Sequence, residues 1–172
     1  MIRAAATLAL SAVLLAGCGY HVSGRADLAP KNIHTIAIPA FGNATIRYKL
    51  ADRLAAAVTR EFITRTRYRI VADPNEADAI LSGSVINYNA YPTVFDDRTG
   101  RASGVIAIVH LQVSLQDRVT GKAIYSRPFM EFRERYEISV DQVAYFDESD
   151  MAMQRLSRDV ARSIVSGVLE MF

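Results

Sequence analysis

The fold class follows from one stretch of the chain, residues 105–115, which reads VIAIVHLQVSL. Every second residue from Val105 to Leu115 is apolar, and this alternation predicts a β-strand with one face buried in the core. The intervening residues are apolar at Ile106 and Ile108 and become polar from His110 onward. The stretch therefore predicts a sheet with one face against the core and a second face that is partly apolar.

Polar turns bound this strand on both sides, so its neighbours in the sequence are predicted to be its partners in the sheet. The two predicted hairpin tips are residues 96–101 (DDRTGR) and 117–122 (DRVTGK). A long strand is predicted before the first tip, over 79–91, and another after the second, over 124–138, interrupted at Pro128. On the 79–91 strand, alternation places Leu81 and Val85 on one face and Ile80, Ile86 and Tyr88 on the other.

Two segments have the apolar period of amphipathic helices. In the first, apolar residues recur from Ile46 to Phe62 with Ile63 beside them, after a turn in which Asn43 or Thr45 is predicted to cap the helix. The second is predicted to begin at about Ser149, with its apolar stripe over 153–168.

Two shorter strands complete the predicted elements, one over 33–41 that ends near Pro39 and one over 68–71. The order of elements predicts an α+β fold. It is a two-layer sandwich in which two amphipathic helices pack on one face of a mostly antiparallel sheet of four to five strands. The other face is predicted to be open, so that Ile106 and Ile108 need a partner unless the sheet curls over them.

The N-terminus has the plan of an exported lipoprotein. A charged start at Arg3, an apolar run over 4–15 and two small residues precede Cys18, which is typical of a secretory signal. The apolar run is shorter than the ~20 residues that a membrane-spanning helix needs. Residues 15–18 (LAGC) resemble a bacterial lipobox, in which the cysteine receives a diacylglycerol and, after cleavage, an N-acyl chain such as palmitate.

This motif predicts three parts of the chain: a lipoprotein signal peptide over 1–17, a lipidated N-terminus and tether over 18–31, and one folded domain over 32–172. The alternative is an ordinary signal peptide followed by a chance cysteine. Cys18 is the only cysteine, so no disulfide can form within the chain, and a lone cysteine in an exported protein otherwise has no partner.

Composition and motifs argue against several function classes. A net charge of +2 argues against a nucleic-acid binder, which needs a concentrated basic face. The three histidines, His21, His34 and His110, lack metal-ligand neighbours at helix spacing. No nucleophile elbow or phosphate-binding glycine loop is present, so neither an enzyme nor a bound cofactor is expected. The acidic residues at 96–97 are interpreted as a solvated turn, and those at 147–150 as favourable charge at a helix N-terminus.

The chain resembles the LptE family of lipopolysaccharide-assembly lipoproteins over its whole mature length. The resemblance rests on several stretches in the same order: 15–21 (LAGCGYH), 36–43 (IAIPAFGN), 81–85 (LSGSV), 93–95 (TVF) and 121–125 (GKAIY). It implies a plug inside the outer-membrane β-barrel LptD, which supports barrel assembly, binds lipopolysaccharide and helps to deliver it to the outer leaflet. It also implies a lipid-anchored protein at the periplasmic face of the outer membrane, and Gly19 favours that membrane over the inner one.

The resemblance implies a lipopolysaccharide site only in part. Relatives carry a basic residue directly after the aromatic residue of the 93–95 stretch, whereas here Asp96 and Asp97 follow and basic residues return at Arg98 and Arg101. A second basic position before the last helix falls in 144–147, which has no basic residue. Arg98 and Arg101 are the predicted lipopolysaccharide-binding residues, and two solvated arginines on a turn are the alternative.

The sequence is also compatible with a second functional class. The 36–43 stretch also resembles lipoproteins that activate cell-wall synthases or form secretion pores. The absence of a long tether after Cys18 and of a pore-forming insertion counts against that class. A periplasmic enzyme ranks third, because no catalytic constellation supports it.

Overall fold

The computed structural model describes residues 33–97, 100–138 and 142–171. The predicted signal peptide, Cys18, His21 and Arg98 lie outside these residues. The elements in chain order are β1 (Thr35–Ala37), β2 (Gly42–Asn43), α1 (Tyr48–Arg65), β3 (Arg69–Val71), a 3₁₀ turn (Pro74–Glu76), β4 (Ala79–Phe95), β5 (Ala102–Asp117), β6 (Ala123–Glu137) and α2 (Gln142–Leu169).

The predicted fold class is confirmed, with six strands in one mixed sheet. The strand order is β3-β1-β4-β5-β6, and β2 pairs with β4 separately. The three long strands β4, β5 and β6 form an antiparallel meander, whereas β1 pairs in parallel with β3 and β4, and β2 in parallel with β4. The strand count exceeds the prediction because Gly42 and Asn43, predicted as part of a turn, pair with Ser84 and Val85.

Both helices pack on one face of the sheet and close a single core. The alternate residues of β5 from Val105 to Leu115 are all buried, as their period predicts. Helix α1 contributes Leu54 and Phe62, and α2 contributes Leu156 and Ile164, all with almost no exposed surface. The alternation of β5 therefore identifies the helix-facing side of the sheet correctly along its whole length.

The first helix begins later than its apolar period suggests. Ile46 is 96% exposed and Ile63 is also exposed, so the assignment of these two residues to the buried stripe is wrong. The side chain of Asn43 accepts from the Thr45 N–H, and the Thr45 hydroxyl accepts from the Arg47 N–H, which makes a turn before the helix. The N-cap residue is Arg47, with no side-chain cap, so the prediction that Asn43 or Thr45 caps the helix is also wrong.

A β-bulge corrects the predicted faces of β4. Val85 pairs with Leu111, but the next paired residue is Asn87, opposite His110, so Ile86 is the extra residue. Because one extra residue reverses the alternation beyond it, Tyr88 lies opposite the buried Val109 on the helix-facing side. The sequence pattern, which assumes an unbroken period, placed Tyr88 wrongly on the outer side.

The last helix extends N-terminally beyond its apolar stripe. It begins at Gln142, seven residues before the predicted start at about Ser149. The acidic residues at 147–150 therefore lie inside the helix, and their predicted place at its N-terminus is wrong. No helix within the described residues has the length and apolar character needed to cross a membrane.

Candidate binding surface

The side of the sheet away from the helices forms the main candidate surface, which we call the open face. Strand register sets its composition, because paired residues of antiparallel strands project to the same side. Ile106 lies between Tyr91 and Arg135, and Ile108 lies between Asn89 and Arg133. The name is used for the part of this side that is formed by Asn87, Asn89, Tyr91, Ile106, Ile108, His110, Phe129, Glu131, Arg133 and Arg135.

A charged network fixes one end of the open face. The Nε2 atom of His110 lies 2.9 Å from Glu131 Oε2, and Arg133 Nη2 lies 2.6 Å from the other carboxylate oxygen. Hydrogen bonds from His110 and then from Arg133 hold the pKa of the Glu131 carboxyl below its usual range. The Phe129 ring packs against His110 with the ring centroids 4.9 Å apart. The network leaves charged groups in fixed positions on an otherwise uncovered sheet.

The apolar centre of the open face is only half-buried. Ile106 and Ile108 are intermediate in exposure, and an arginine of β6 flanks each of them. The aliphatic stems of arginines can cover apolar neighbours while the guanidinium groups stay in water. The predicted apolar surface is therefore a polar surface with an aliphatic centre, which suits a partner that offers both hydrogen bonds and apolar contacts.

The charged stretch at 133–135 is divided between the two faces. Arg133 and Arg135 lie on the open face, whereas Glu134 faces the helix layer and lies opposite Ala107. The Nε of Arg155 lies 2.6 Å from Glu134 Oε1, which ties α2 to the edge strand β6. Strand alternation was the signal that could have separated Glu134 from its two neighbours.

The β4–β5 hairpin carries the predicted lipopolysaccharide site at its tip. The Asp96 N–H donates to the Arg101 carbonyl, and the Gly100 N–H donates to the Asp96 carbonyl. The N···O distance is 2.8 Å in each hydrogen bond. Gly100 has a φ of +66°, a conformation that glycine adopts without strain. Arg101 is exposed at this tip, near the half-exposed side chains of Val94 and Phe95 on the same hairpin. The tip therefore presents a cation beyond an apolar strand end.

The described residues include no group of three or more His, Cys, Asp or Glu residues that could hold a metal ion. His34 lies directly before β1, whereas His110 lies within β5. His110 has Glu131 as its partner, and the backbone N–H of His34 donates to Asp78.

Comparison with known protein families identifies one whose model matches most of this chain. The family model LptE, described as lipopolysaccharide-assembly, matches residues 33–167. No curated protein matches the chain. Rare lipoprotein B from Shewanella oneidensis has a similar solved structure, with a TM-score of 0.55 at 14% identity, over 77% of this chain and 93% of that one.

Two further solved structures have the same fold. Lipoprotein B from Nitrosomonas europaea gives a TM-score of 0.53 at 13% identity, over 78% of this chain and 81% of its own. A protein from Xanthomonas campestris gives 0.56 at 15% identity, over 83% of this chain and 89% of its own. At these identities the likeness concerns the fold alone.

Proposed function

The chain belongs to the LptE family of lipopolysaccharide-assembly lipoproteins, and from this premise we propose that it plugs the lumen of the LptD β-barrel. In this role it supports assembly of the barrel, binds lipopolysaccharide and helps to deliver it to the outer leaflet. Family membership confirms the prediction of a protein that is not an enzyme.

The polar open face is the observation that carries this proposal. It leaves a broad sheet surface uncovered by helices, with Glu131, Arg133 and Arg135 in strand register around an aliphatic centre. The interior of an outer-membrane barrel is polar, so a plug needs many hydrogen-bonding groups in fixed positions. A rigid antiparallel meander supplies such positions better than loops do.

The hairpin tip supplies the proposed contact with lipopolysaccharide. Arginine pairs with phosphate through charge-assisted hydrogen bonds, and Arg98 and Arg101 are the basic residues of the tip. The neighbouring Val94 and Phe95 expose apolar surface that acyl chains can contact. Replacing both arginines with glutamate is expected to weaken binding to purified lipopolysaccharide, and unchanged binding would contradict this assignment.

The proposed anchor is Cys18, acylated with a diacylglycerol and an N-acyl chain. Two or more acyl chains hold a protein stably on a membrane, at ~0.8 kcal/mol per buried CH₂. A tether over 18–31 reaches at most about 50 Å when fully extended, at ~3.3–3.6 Å per residue. The domain would therefore stay close to the periplasmic face of the outer membrane, where a barrel can enclose it.

The test of the plug role is recovery of the barrel from detergent-solubilised outer membranes with the tagged full chain. We expect the wild-type chain to recover a large β-barrel and R133E/R135E to recover at least tenfold less. The matched control is R60E/R158E, the same charge change at two exposed helix positions. Equal recovery by the two double variants would refute the open face as the contact surface. Recovery of a cell-wall synthase by the wild type would refute the plug role.

A further inference from the structure

A cleft at the start of α1 lies apart from both the open face and the hairpin tip. It is open to solvent and has a volume of about 400 Å³ between the first turn of α1 and the N-terminal half of α2. That volume lies within the range of small-molecule and cofactor sites, ~300–1,000 Å³. Leu50 and Met153, both buried, form its apolar floor.

Three cations, the N-cap residue Arg47 and the α1 residues Lys49 and Arg53, line the cleft together with the carboxylate of Asp150. Arg53 Nη2 lies 3.0 Å from Asp150 Oδ2, so this arginine is already paired. Among the described residues, no carboxylate lies within ion-pair distance of Arg47 or Lys49. Instead the Arg47 guanidinium lies 4.8 Å from the ring centroid of Tyr88. The Lys49 ammonium lies 5.6 Å from the ring centroid of its neighbour Tyr48. The cleft therefore has two cations available to an anion.

The backbone adds to this positive character. The first turn of α1 contains no acidic residue, and no side chain caps the helix at Arg47. The N-terminal end of a helix carries a partial positive charge and unpaired N–H groups, which favour an anion. Arg47 and Lys49 carry full charges at the same place, so helix and side chains act together.

The rim of the cleft is apolar and exposed. Ile46 is 96% exposed and Tyr48 is 73% exposed, on either side of Arg47. Exposed aliphatic and aromatic side chains interleaved with cations are typical of surfaces that meet lipid head groups and the first carbons of acyl chains. A simple inorganic anion would leave this apolar rim without a role.

We propose that this cleft binds the phosphorylated head group of a lipid, with the phosphate on Arg47 and Lys49 and the first part of an acyl chain on Ile46 and Tyr48. A protein segment is the weaker occupant, because none of the described residues that line the cleft belongs to a strand that could extend a peptide by β-addition. The inference deepens the proposed lipopolysaccharide binding and rests on that proposal only for the source of the lipid.

The experiment uses a fluorescent reporter inside the cleft. The chain contains no tryptophan, so Y48W in the mature, lipidated protein provides a single signal at the rim. The protein is kept in dodecyl maltoside micelles and titrated with dodecyl phosphate, inorganic phosphate, purified lipopolysaccharide and a polyglutamate peptide in separate arms. We expect saturable changes with dodecyl phosphate and lipopolysaccharide, and at least tenfold weaker binding of inorganic phosphate.

Variants in the Y48W background assign the site. R47Q/K49Q is expected to weaken dodecyl phosphate binding at least tenfold, and I46S several-fold. The control R60Q/R158Q removes the same charge at exposed positions of α1 and α2, the two helices that flank the cleft, and is expected to change binding less than twofold. Equal weakening by the two double variants would indicate general electrostatic attraction and overturn the proposal. Equal affinity for inorganic phosphate, with I46S unchanged, would also overturn it. So would stronger binding of a polyglutamate peptide.

Barrel recovery and the dodecyl phosphate titration together distinguish a failure of the cleft proposal from a failure of the plug role. R47Q/K49Q leaves the open face intact, so it should recover the barrel from outer membranes as well as the wild type does. If the wild type recovers the barrel but the two double variants bind dodecyl phosphate alike, only the cleft proposal fails. If the wild type recovers no barrel, the plug role fails whatever the titration shows.

Discussion

The contact between Gly83 and Phe41 provides a sharp test of the packing between the sheet and the segment before α1. A Cβ at Gly83 would lie 2.6 Å from Phe41 Cε2 and 2.7 Å from two further ring atoms, whereas carbon atoms pack at ~3.5–4.0 Å. The Phe41 ring is buried, so it can move away only by displacing its neighbours. We expect G83A to lower the free energy of unfolding by about 1–3 kcal/mol, the usual cost of overpacking a core.

The assay is urea unfolding of the full chain, monitored by far-UV circular dichroism. We expect the slope of the free energy of unfolding against urea concentration to stay unchanged. For a chain of this size, the same loss lowers the melting temperature by ~2–4 °C per kcal/mol. F41A alone should cost about 3–5 kcal/mol because it leaves a cavity.

The double variant decides whether the ring is the cause. In the F41A background, G83A should cost less than ~0.5 kcal/mol or even stabilise, because the ring is gone and alanine suits a strand better than glycine. G104A is the matched control. Its Cβ would meet Val94 Cγ2 at 3.2 Å, but Val94 is half-exposed and can shift, so we expect a change within ~0.5 kcal/mol. An equal loss of unfolding free energy on G83A in the wild-type and F41A backgrounds would show that the Phe41 ring is not the cause.

Further predictions concern three other contacts. Asp78 accepts from the backbone N–H groups of His34 and Thr35 at 2.8 and 2.9 Å, so D78A should lower the free energy of unfolding by about 1–2 kcal/mol in urea titrations. The same hydrogen bonds lower the pKa of the Asp78 carboxyl, so its stabilisation is present above its ordinary pKa of ~3.9 and is lost as pH falls through the lower folded value. The stability difference between wild type and D78A should therefore shrink below about pH 4; a constant difference would contradict this. H110A should raise the pKa of Glu131 in carbon-detected NMR titrations, because the first of its stabilising hydrogen bonds is removed, and an unchanged pKa would contradict the network. E134A should change the free energy of unfolding by less than ~1 kcal/mol, because Arg155 is half in solvent; a larger loss would show that this ion pair anchors α2.

Regular periods in the sequence predicted the parts of the fold that depend on many residues acting together. The alternation over 105–115 set the core face of the sheet, and the two polar hairpin tips set the antiparallel meander. The stretches that carry the family resemblance also have a structural role, since Phe41 and Gly83 come from two of them and pack against each other.

Single-residue features escaped prediction because they have no period. The bulge at Ile86 is one extra residue without a glycine or proline to mark it, yet it reverses the faces of β4 from Asn87 to Pro92, where the next irregularity follows. Strand β2 is two residues long, too short for an alternation. The first turns of α2 precede its apolar stripe, so the stripe could not locate the start of the helix.

The candidate surfaces were predictable only where they lie on regular strands. The open face follows from the alternation of β5 and the pairing of its neighbours. The cleft depends on contacts between distant parts of the chain, such as Arg53 with Asp150, which no local pattern indicates. Ile46 shows the same difficulty, because its spacing fits the buried stripe but a turn directs it outward.

Photo-crosslinking in growing cells tests the plug role most directly. A photoreactive amino acid replaces Tyr91, an exposed residue at the edge of the open face, in the full chain expressed with its own N-terminus. We expect a covalent adduct with a large outer-membrane β-barrel, which is lost when R133E/R135E is added. An adduct with a cell-wall synthase, or no adduct with any barrel while the protein remains in the outer membrane, would contradict it.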